Sequence, residues 1–480
     1  MIARLGSGLS KVFSKTAPDP FVIAVGLTVL TAVLAVTIGF QDQGLSGQGA
    51  AADLTIADKS KLLIDSWRGP DGLWKFLAFG MQMCLILVTG HALAASRPVR
   101  RVIDSLAGLP KSAGSAAAMV GFLTIVLGLI SWGLGLIVGA LLAREVARSL
   151  RHRGIKAHGA LLAAAGYMAL LVFHGGLSGS APLKMTSKVE AESVLPASVV
   201  EMLTVDGVFD GVSLSQTVFS PMNLFVCGGL LVLVPGVLWL LTPKGGEGRE
   251  DEIVEMPMSD DPVMADIDDG RLKGFPDWIE RSPIVVWVLA TGLMLGYWRF
   301  VDQSGVLRMG PNEINMVMLA LGLILHGSVR SYISAAEDGA AGCAGIILQF
   351  PLYAGIMGMG VSSGLVADFS SWIGSFATET TGPLMTFLSA AVVNLFVPSG
   401  GGQWGIQGPI ALSTGAEVGV SPGKMIMAVA YGDQLTNMLQ PFWALPLLAI
   451  TRVKAREIVG YTAVVMVVAG AWMAIGLLVF

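Results

Sequence analysis

Two polar runs interrupt apolar text: His174-Gly175-Gly176-Leu177-Ser178-Gly179-Ser180, and Gly432-Asp433-Gln434-Leu435-Thr436-Asn437 with Gln440-Pro441 beyond it. An ionisable group in hydrocarbon is costly, so Asp433 marks a functional position, as a cation ligand or proton carrier. Its bland alternative is a helix-packing acid bonded to Tyr431 or Asn437. His174 reads as a titratable partner or as a helix cap. Two more runs could present backbone to a ligand: Ser131-Trp132-Gly133-Leu134-Gly135, and Pro398-Ser399-Gly400-Gly401-Gly402-Gln403 followed by Trp404. Glycine removes the side chains that would hold a ligand away from backbone. Helix N-termini at such turns offer N–H groups and a positive dipole end to an anion, while carbonyls can hold a cation. The candidate substrate-binding residues are therefore Ser131, Trp132, Gly133, His174, Gly175, Gly176, Ser178, Ser399, Gly400, Gly401, Gly402, Gln403, Trp404 and Asn437. Asp433, Thr436 and Asn437 are the candidate ion-coupling residues. Gln82 and Gln349 stand at repeat-related positions, as supports of the site or as interhelical hydrogen bonders.

Such residues need a membrane scaffold, and the composition supplies one. The 480 residues are 54% hydrophobic and 13% charged, with mean hydropathy +0.71, far from a soluble domain. The net charge of −4 lacks the basic face a nucleic-acid partner needs. Cys84, Cys227 and Cys343 lie in apolar segments without paired spacing, suggesting neither a disulfide framework nor a metal site. Arg4, Lys11 and Lys15 precede a run long enough to span, read as an uncleaved first helix.

Full crossings are expected at roughly 20–40, 74–95, 158–180, 220–242, 283–300, 312–328, 339–360, 424–450 and 459–480. Segments 117–143 and 382–413 differ. Arg97, Arg100, Arg101 and Lys111 precede the first, and Arg144, Arg148, Arg151, Arg153 and Lys156 follow it, so both flanks read as cytoplasmic. Neither 361–381 nor 414–423 has a Lys or Arg, so the second segment begins and ends outside. Each is expected to be a re-entrant hairpin, with arms of about 13 to 16 residues carrying the tip near the midplane. Non-helical backbone is tolerated there only against protein or a watery cavity. The N-terminus then lies in the cytoplasm and the C-terminus outside.

FGMQMCLIL resembles ILQFPLYAG, GFLTIVLGLISWGLG resembles TFLSAAVVNLFVPSGGG, and AAAGYMALLVFHGG resembles MAVAYGDQLTNMLQ. These pairs, in order and at near-constant offset, predict two repeats, inverted because their hairpins enter from opposite sides. The fold class is an all-α polytopic membrane protein of two inverted repeats, each with a re-entrant helical hairpin and a discontinuous transmembrane helix at 158–180 or 424–450. The repeats would be 1–242 and 283–480, joined by a mobile acidic cytoplasmic linker at 243–282.

The blocks PDPFVIAVGLTVLT, LWKFLAFGMQMCLILVTGHALA, WGLGLIVGALLAREVAR, LQFPLYAGI, VPSGGGQWGIQGP and MAVAYGDQLTNMLQPFWALP run nearly end to end. Through them the chain resembles the bacterial short-chain fatty acid transporter family, grouped with the ion-transporter superfamily. The resemblance implies uptake of butyrate- or acetoacetate-like monocarboxylates, inverted repeats with hairpins and discontinuous helices, and often a homodimer working by an elevator motion. An acidic residue, with Glu as the variant, often stands at the position of Asp433. No residue-level substrate motif carries over.

The expected partners are a short-chain monocarboxylate and the bilayer, with no cofactor beyond a coupling H⁺ or Na⁺. Hairpin-tip N–H groups, Gln403 and Asn437 would hold the carboxylate, and the alkyl tail would meet Trp132, Trp404, Phe442 or Trp443. Ser131, Ser399, Thr436 or Asn437 could join tip carbonyls in a sodium site. A carrier of dicarboxylates or aminobenzoyl conjugates would need a second cationic anchor, and no Lys or Arg stands near either tip. Gly176-Leu177-Ser178-Gly179 also matches the GxSG of rhomboid proteases, with His326 as a conceivable base. In a chain with 61 glycines that match is expected by accident, and no enzyme activity is expected.

Overall fold

Proline and small polar caps set where many of these helices begin. Asp19 accepts the Phe21 N–H at 2.9 Å ahead of Pro20, and Ser112 and Ser115 form a reciprocal capping box. The computed structural model describes residues 18–40, 54–192, 195–204, 209–243, 274–305 and 311–480, with a few isolated residues before them. Of the expected linker 243–282, residues 244–273 lie outside the described residues, as do loop residues 41–53, while Phe275–Arg281 forms a short helix whose Asp277 pairs with Arg330 at 2.6 Å. The described chain is helical without strands.

Helices of eight or more residues are α1 (Pro20–Ile38), α2 (Ile56–Arg68), α3 (Leu77–Ala95), α4 (Arg97–Gly108), α5 (Ala113–Ile130), α6 (Trp132–His152), α7 (Gly159–Gly166), α8 (Pro221–Leu240) and α9 (Pro283–Ser304). The chain continues as α10 (Pro311–His326), α11 (Val329–Ala340), α12 (Ala344–Ser362), α13 (Leu365–Gly374), α14 (Gly382–Asn394), α15 (Gly400–Glu417), α16 (Pro422–Thr436), α17 (Pro441–Thr451) and α18 (Ala455–Val479). Seven described segments are long and apolar enough to cross a membrane, with α11 and α12 counted as one. Six coincide with expected crossings. The seventh is α5, whose 18 residues reach about 27 Å, longer than the expected hairpin arm.

What makes α5 an arm is its reversal at Ser131. A Cβ built on Gly135 would lie 2.7 Å from the Gly128 nitrogen, and one on Gly139 2.7 Å from Thr124 Oγ1. Residues at matching distances either side of the 131–132 junction therefore face each other, as antiparallel arms require. The second hairpin shows the same order: Gln403 Nε2 donates to the Ala390 carbonyl at 2.8 Å, and Gln407 Nε2 to Ser389 Oγ at 3.2 Å. That pairs α14 with α15 across the turn at 395–399.

The interrupted helices lie tightly on these arms. After α7 the chain passes through 3₁₀ turns at Met168–Leu171 and Phe173–Gly175, then an extended turn before Ser180. In the other half the break falls later than expected. Gly432 to Thr436 remain α-helical, and the interruption is Asn437–Leu439 with Gln440 extended at φ −86°, ψ 121°. Pro441 explains this, because its ring pushes the preceding residue out of the helical region. Gly432 serves packing: a Cβ there would lie 2.3 Å from the Phe387 carbonyl. Gly139 and Gly166 do the same in the first half, each Cβ position falling within 2.5 Å of the other's carbonyl oxygen. Gly139→Val is expected to destabilise the protein by about 1–3 kcal/mol or more, read as a lowered midpoint in detergent thermal unfolding; an unchanged midpoint would contradict this packing.

Candidate functional site

Each interrupted helix frees backbone groups that must find partners in a dry interior. The Tyr167 hydroxyl donates to the carbonyls of Asn437 at 2.9 Å and Gln440 at 3.2 Å, both in the other half. Asn394, ending α14, sends Nδ2 to the Asp433 carbonyl at 2.7 Å, Asn437 Oδ1 at 2.9 Å and Thr436 Oγ1 at 3.0 Å. Thr436 Oγ1 passes its own proton to the Ala391 carbonyl at 2.8 Å, and Gln440 Nε2 donates to the Asn394 carbonyl. Hairpin end and interrupted helix are thus one amide network.

At its edge stands the buried pair His174 and Asp433, 0% and 3% exposed. His174 Nε2 lies 3.1 Å from Asp433 Oδ1, off the line of a straight hydrogen bond. His174 Nδ1 accepts the Ser180 N–H at 3.2 Å. The Nδ1 side of the ring thus faces a backbone donor and the Nε2 side faces the carboxylate. The His174 N–H donates to Gln434 Oε1 at 3.0 Å. Tyr431 bonds Asn223 Oδ1 at 2.9 Å rather than Asp433, which removes one structural reading of the acid. Asn223 Nδ2 in turn donates to the Gly175 carbonyl at 2.8 Å.

The 174–180 turn touches both hairpin tips. On one side the Leu177 N–H donates to the Leu129 carbonyl at 2.7 Å, Gly176 abuts Leu129, and Ser178 Oγ accepts the Trp132 N–H at 3.0 Å. On the other, a Cβ on Gly400 would lie 2.6 Å from the His174 ring and 3.1 Å from Ser180 Oγ. Ser399 caps α15 by accepting the Gly402 N–H at 3.2 Å. The Cβ position of Gly401 meets nothing within 4 Å, the open place at this tip. Several buried side-chain atoms have no partner: Asp433 Oδ2, Asn394 Oδ1, Gln403 Oε1, Gln434 Nε2, Asn437 Nδ2, Gln440 Oε1 and Ser131 Oγ. Buried polar atoms are normally satisfied, so these atoms hold hydrogen-bonding capacity that the described residues leave unused.

Other candidates fall outside that network. Trp132 packs on Trp443 at 5.4 Å and Phe79 at 6.4 Å between ring centres, while Phe442 stacks on Phe350 at 4.2 Å. These rings form an aromatic seam between α3 and α12 on one side and the α6 start and α17 on the other. Trp404 is fully buried and makes no ring contact with that seam among the described residues. Gly133 faces Ile314 and Ile86. Gln82 Nε2 donates to Asn312 Oδ1 at 2.9 Å, a bond between α3 and α10. Gln349 is buried beside Gly345 with Oε1 unpartnered. His326 directs its ring nitrogens to Ser331 Oγ at 3.0 Å and the Ala92 carbonyl at 2.7 Å, so it forms no base for Ser178. Asn394, Asn223 and Tyr167 were not among the expected site residues. An isolated amide or phenol in apolar text gives no sign of where its hydrogen bonds go.

An all-helical bundle with two hairpins, two interrupted helices and a buried polar network between them defines a multi-pass membrane transporter. The chain belongs to the short chain fatty acid transporter family, whose sequence profile it matches over residues 1–480. It is 35% identical over 487 residues to a protein of Escherichia coli strain K12, covering all of both chains. It is 34% identical over 480 residues to one of Haemophilus influenzae, covering 99% of each. Both relatives are named as inferred short-chain fatty acid transporters. Among solved structures it is similar to the YdaH transporter of Alcanivorax borkumensis, with TM-score 0.42, 17% identity and coverage of 95% and 98% of the two chains. It is likewise similar to MtrF of Neisseria gonorrhoeae, described within a class of antimetabolite efflux pumps, with TM-score 0.42, 14% identity and 97% of each chain. At those scores neither likeness informs the site.

Proposed function

We propose that the protein imports short-chain monocarboxylates such as butyrate and acetoacetate across the bacterial inner membrane by H⁺ symport, with Asp433 as the proton carrier. The observation that carries this reading is the buried Asp433 whose ion-range partner is His174, on a turn that touches both hairpin tips. Among the described residues no Lys or Arg pairs with Asp433, and a proton would remove the cost of a buried carboxylate charge. The substrate carboxylate would meet the Gly401 side of the α15 N-terminus and the unpartnered amide donors Gln434 Nε2 and Asn437 Nδ2. The hairpin unit would slide as an elevator along the aromatic seam, with the repeats inverted, the N-terminus cytoplasmic and two protomers working side by side.

The test is uptake of labelled butyrate and acetoacetate by reconstituted vesicles under imposed H⁺ or Na⁺ gradients. A proton gradient should drive accumulation without Na⁺; accumulation driven by Na⁺ alone would overturn the proton reading. His174→Gln separates the two members of the pair. Its amide keeps a donor near the Nε2 position and cannot titrate. Uptake is expected to fall about 3- to 10-fold from lost hydrogen bonding yet keep its dependence on pH. A flat pH profile in that variant would transfer the proton to His174.

A further inference from the structure

A cavity of about 640 Å³ lies between α1, α13 and α14 and shares no residue with the Asp433 network. Its walls are mostly apolar, with Leu34 on α1, Val392 on α14, Phe396 just beyond α14 and Trp372 on α13, and its polar groups include Thr31 and Asp368. Thr31 is 1% exposed, yet its hydroxyl has no partner. That is unlike its neighbours on the same helix: Thr28 and Thr37 donate to the carbonyls four residues back at 2.8 and 2.7 Å. A buried hydroxyl that forgoes this bond and lines a cavity calls for an acceptor from outside the protein. The most apolar stretch of α1 is only 17% buried, so in a membrane the molecule at hand is lipid. The volume falls in the range of small-molecule pockets.

We infer that this cleft is a binding site for a phospholipid with an ammonium headgroup. An acyl chain lies along Leu34, Val392 and Phe396, an ester carbonyl accepts the Thr31 hydroxyl, and the ammonium group meets Asp368. The carboxylate decides between headgroups, since it attracts an ammonium and repels an anionic lipid. Val392 and Phe396 lead directly to the turn at Ser399, so the lipid steadies the second hairpin against α1.

The experiment reconstitutes the full chain in equal phosphatidylethanolamine and anionic phosphatidylglycerol, strips it with detergent, and counts retained lipids by native mass spectrometry. The parent should retain phosphatidylethanolamine preferentially. Thr31→Val, nearly isosteric, should lower that retention by about 3- to 10-fold, the worth of one hydrogen bond. Asp368→Asn should erase the preference between headgroups while a lipid is still held, and Val392→Trp, which fills the cleft, should empty it. Equal retention of both lipids by the parent, or unchanged retention in Thr31→Val or Val392→Trp, overturns the inference. Because bound lipid is counted directly, the result stands apart from whether the proton reading of transport survives.

Discussion

Asp433→Asn is expected to uncouple uptake from the proton gradient while leaving exchange of internal for external substrate intact. The amide resembles the protonated acid in shape and charge, so the carrier should still bind and reorient, but it can no longer release a proton. Moving an uncompensated monovalent anion inward at −100 mV costs about 2.3 kcal/mol, equal to about 50-fold in accumulation. With each anion accompanied by a proton the net charge moved is zero and that penalty vanishes. The variant's steady-state accumulation of labelled butyrate should therefore fall by about 50-fold at that potential. Counterflow in preloaded vesicles should remain within about 3-fold of the parent, by the same hydrogen-bond scale. Full accumulation by Asp433→Asn would remove the carboxylate from the mechanism. Loss of counterflow together with accumulation would assign it to binding instead.

The second large effect is expected from adjacent glycines that look equivalent in the sequence. A methyl group on Gly400 would fall 2.6 Å from the His174 ring and 3.1 Å from Ser180 Oγ, whereas one on Gly401 meets open space. No real Cβ sits that close to an aromatic edge, so Gly400→Ala must push the second tip away from the turn that carries His174. Displacements near an ångström in a site that positions its ligand can cost about 100-fold. Gly400→Ala should lose uptake of that order, and Gly401→Ala should change it no more than about 3-fold. Initial rates at equal protein in vesicles decide the matter. Equal behaviour of the two variants would show that the tip does not seat against His174.

The hairpins and the first interrupted helix could be anticipated because their signals are local. Charged flanks of one kind on each side of 117–143, and three consecutive glycines at 400–402, leave few alternatives for an apolar chain. The second interruption falls later than the sequence suggests because Gly432, which resembles a breaker, serves close approach to the Phe387 carbonyl. The informative signal was Pro441, which acts on Gln440. Gln82 and Gln349 attracted attention through their repeat-related positions. The first is spent joining α3 to α10, and neither bonds to the tips. Trp404 lies beside the tip in sequence, but one helical turn directs it into the core. Asn394 could not have been singled out, because its meaning lies in oxygens about 40 residues further along the chain.

The hydrogen bonds from Tyr167 to the carbonyls of Asn437 and Gln440, and from Tyr431 to Asn223, cross between the two halves of the chain. With Gly400 seated on His174, they leave neither half in possession of the whole network. Replacing the residue at 167, 174 or 223 is therefore expected to disturb packing around 400 and 431–440 as well. What one half gains or loses in shape here is felt at once by the other.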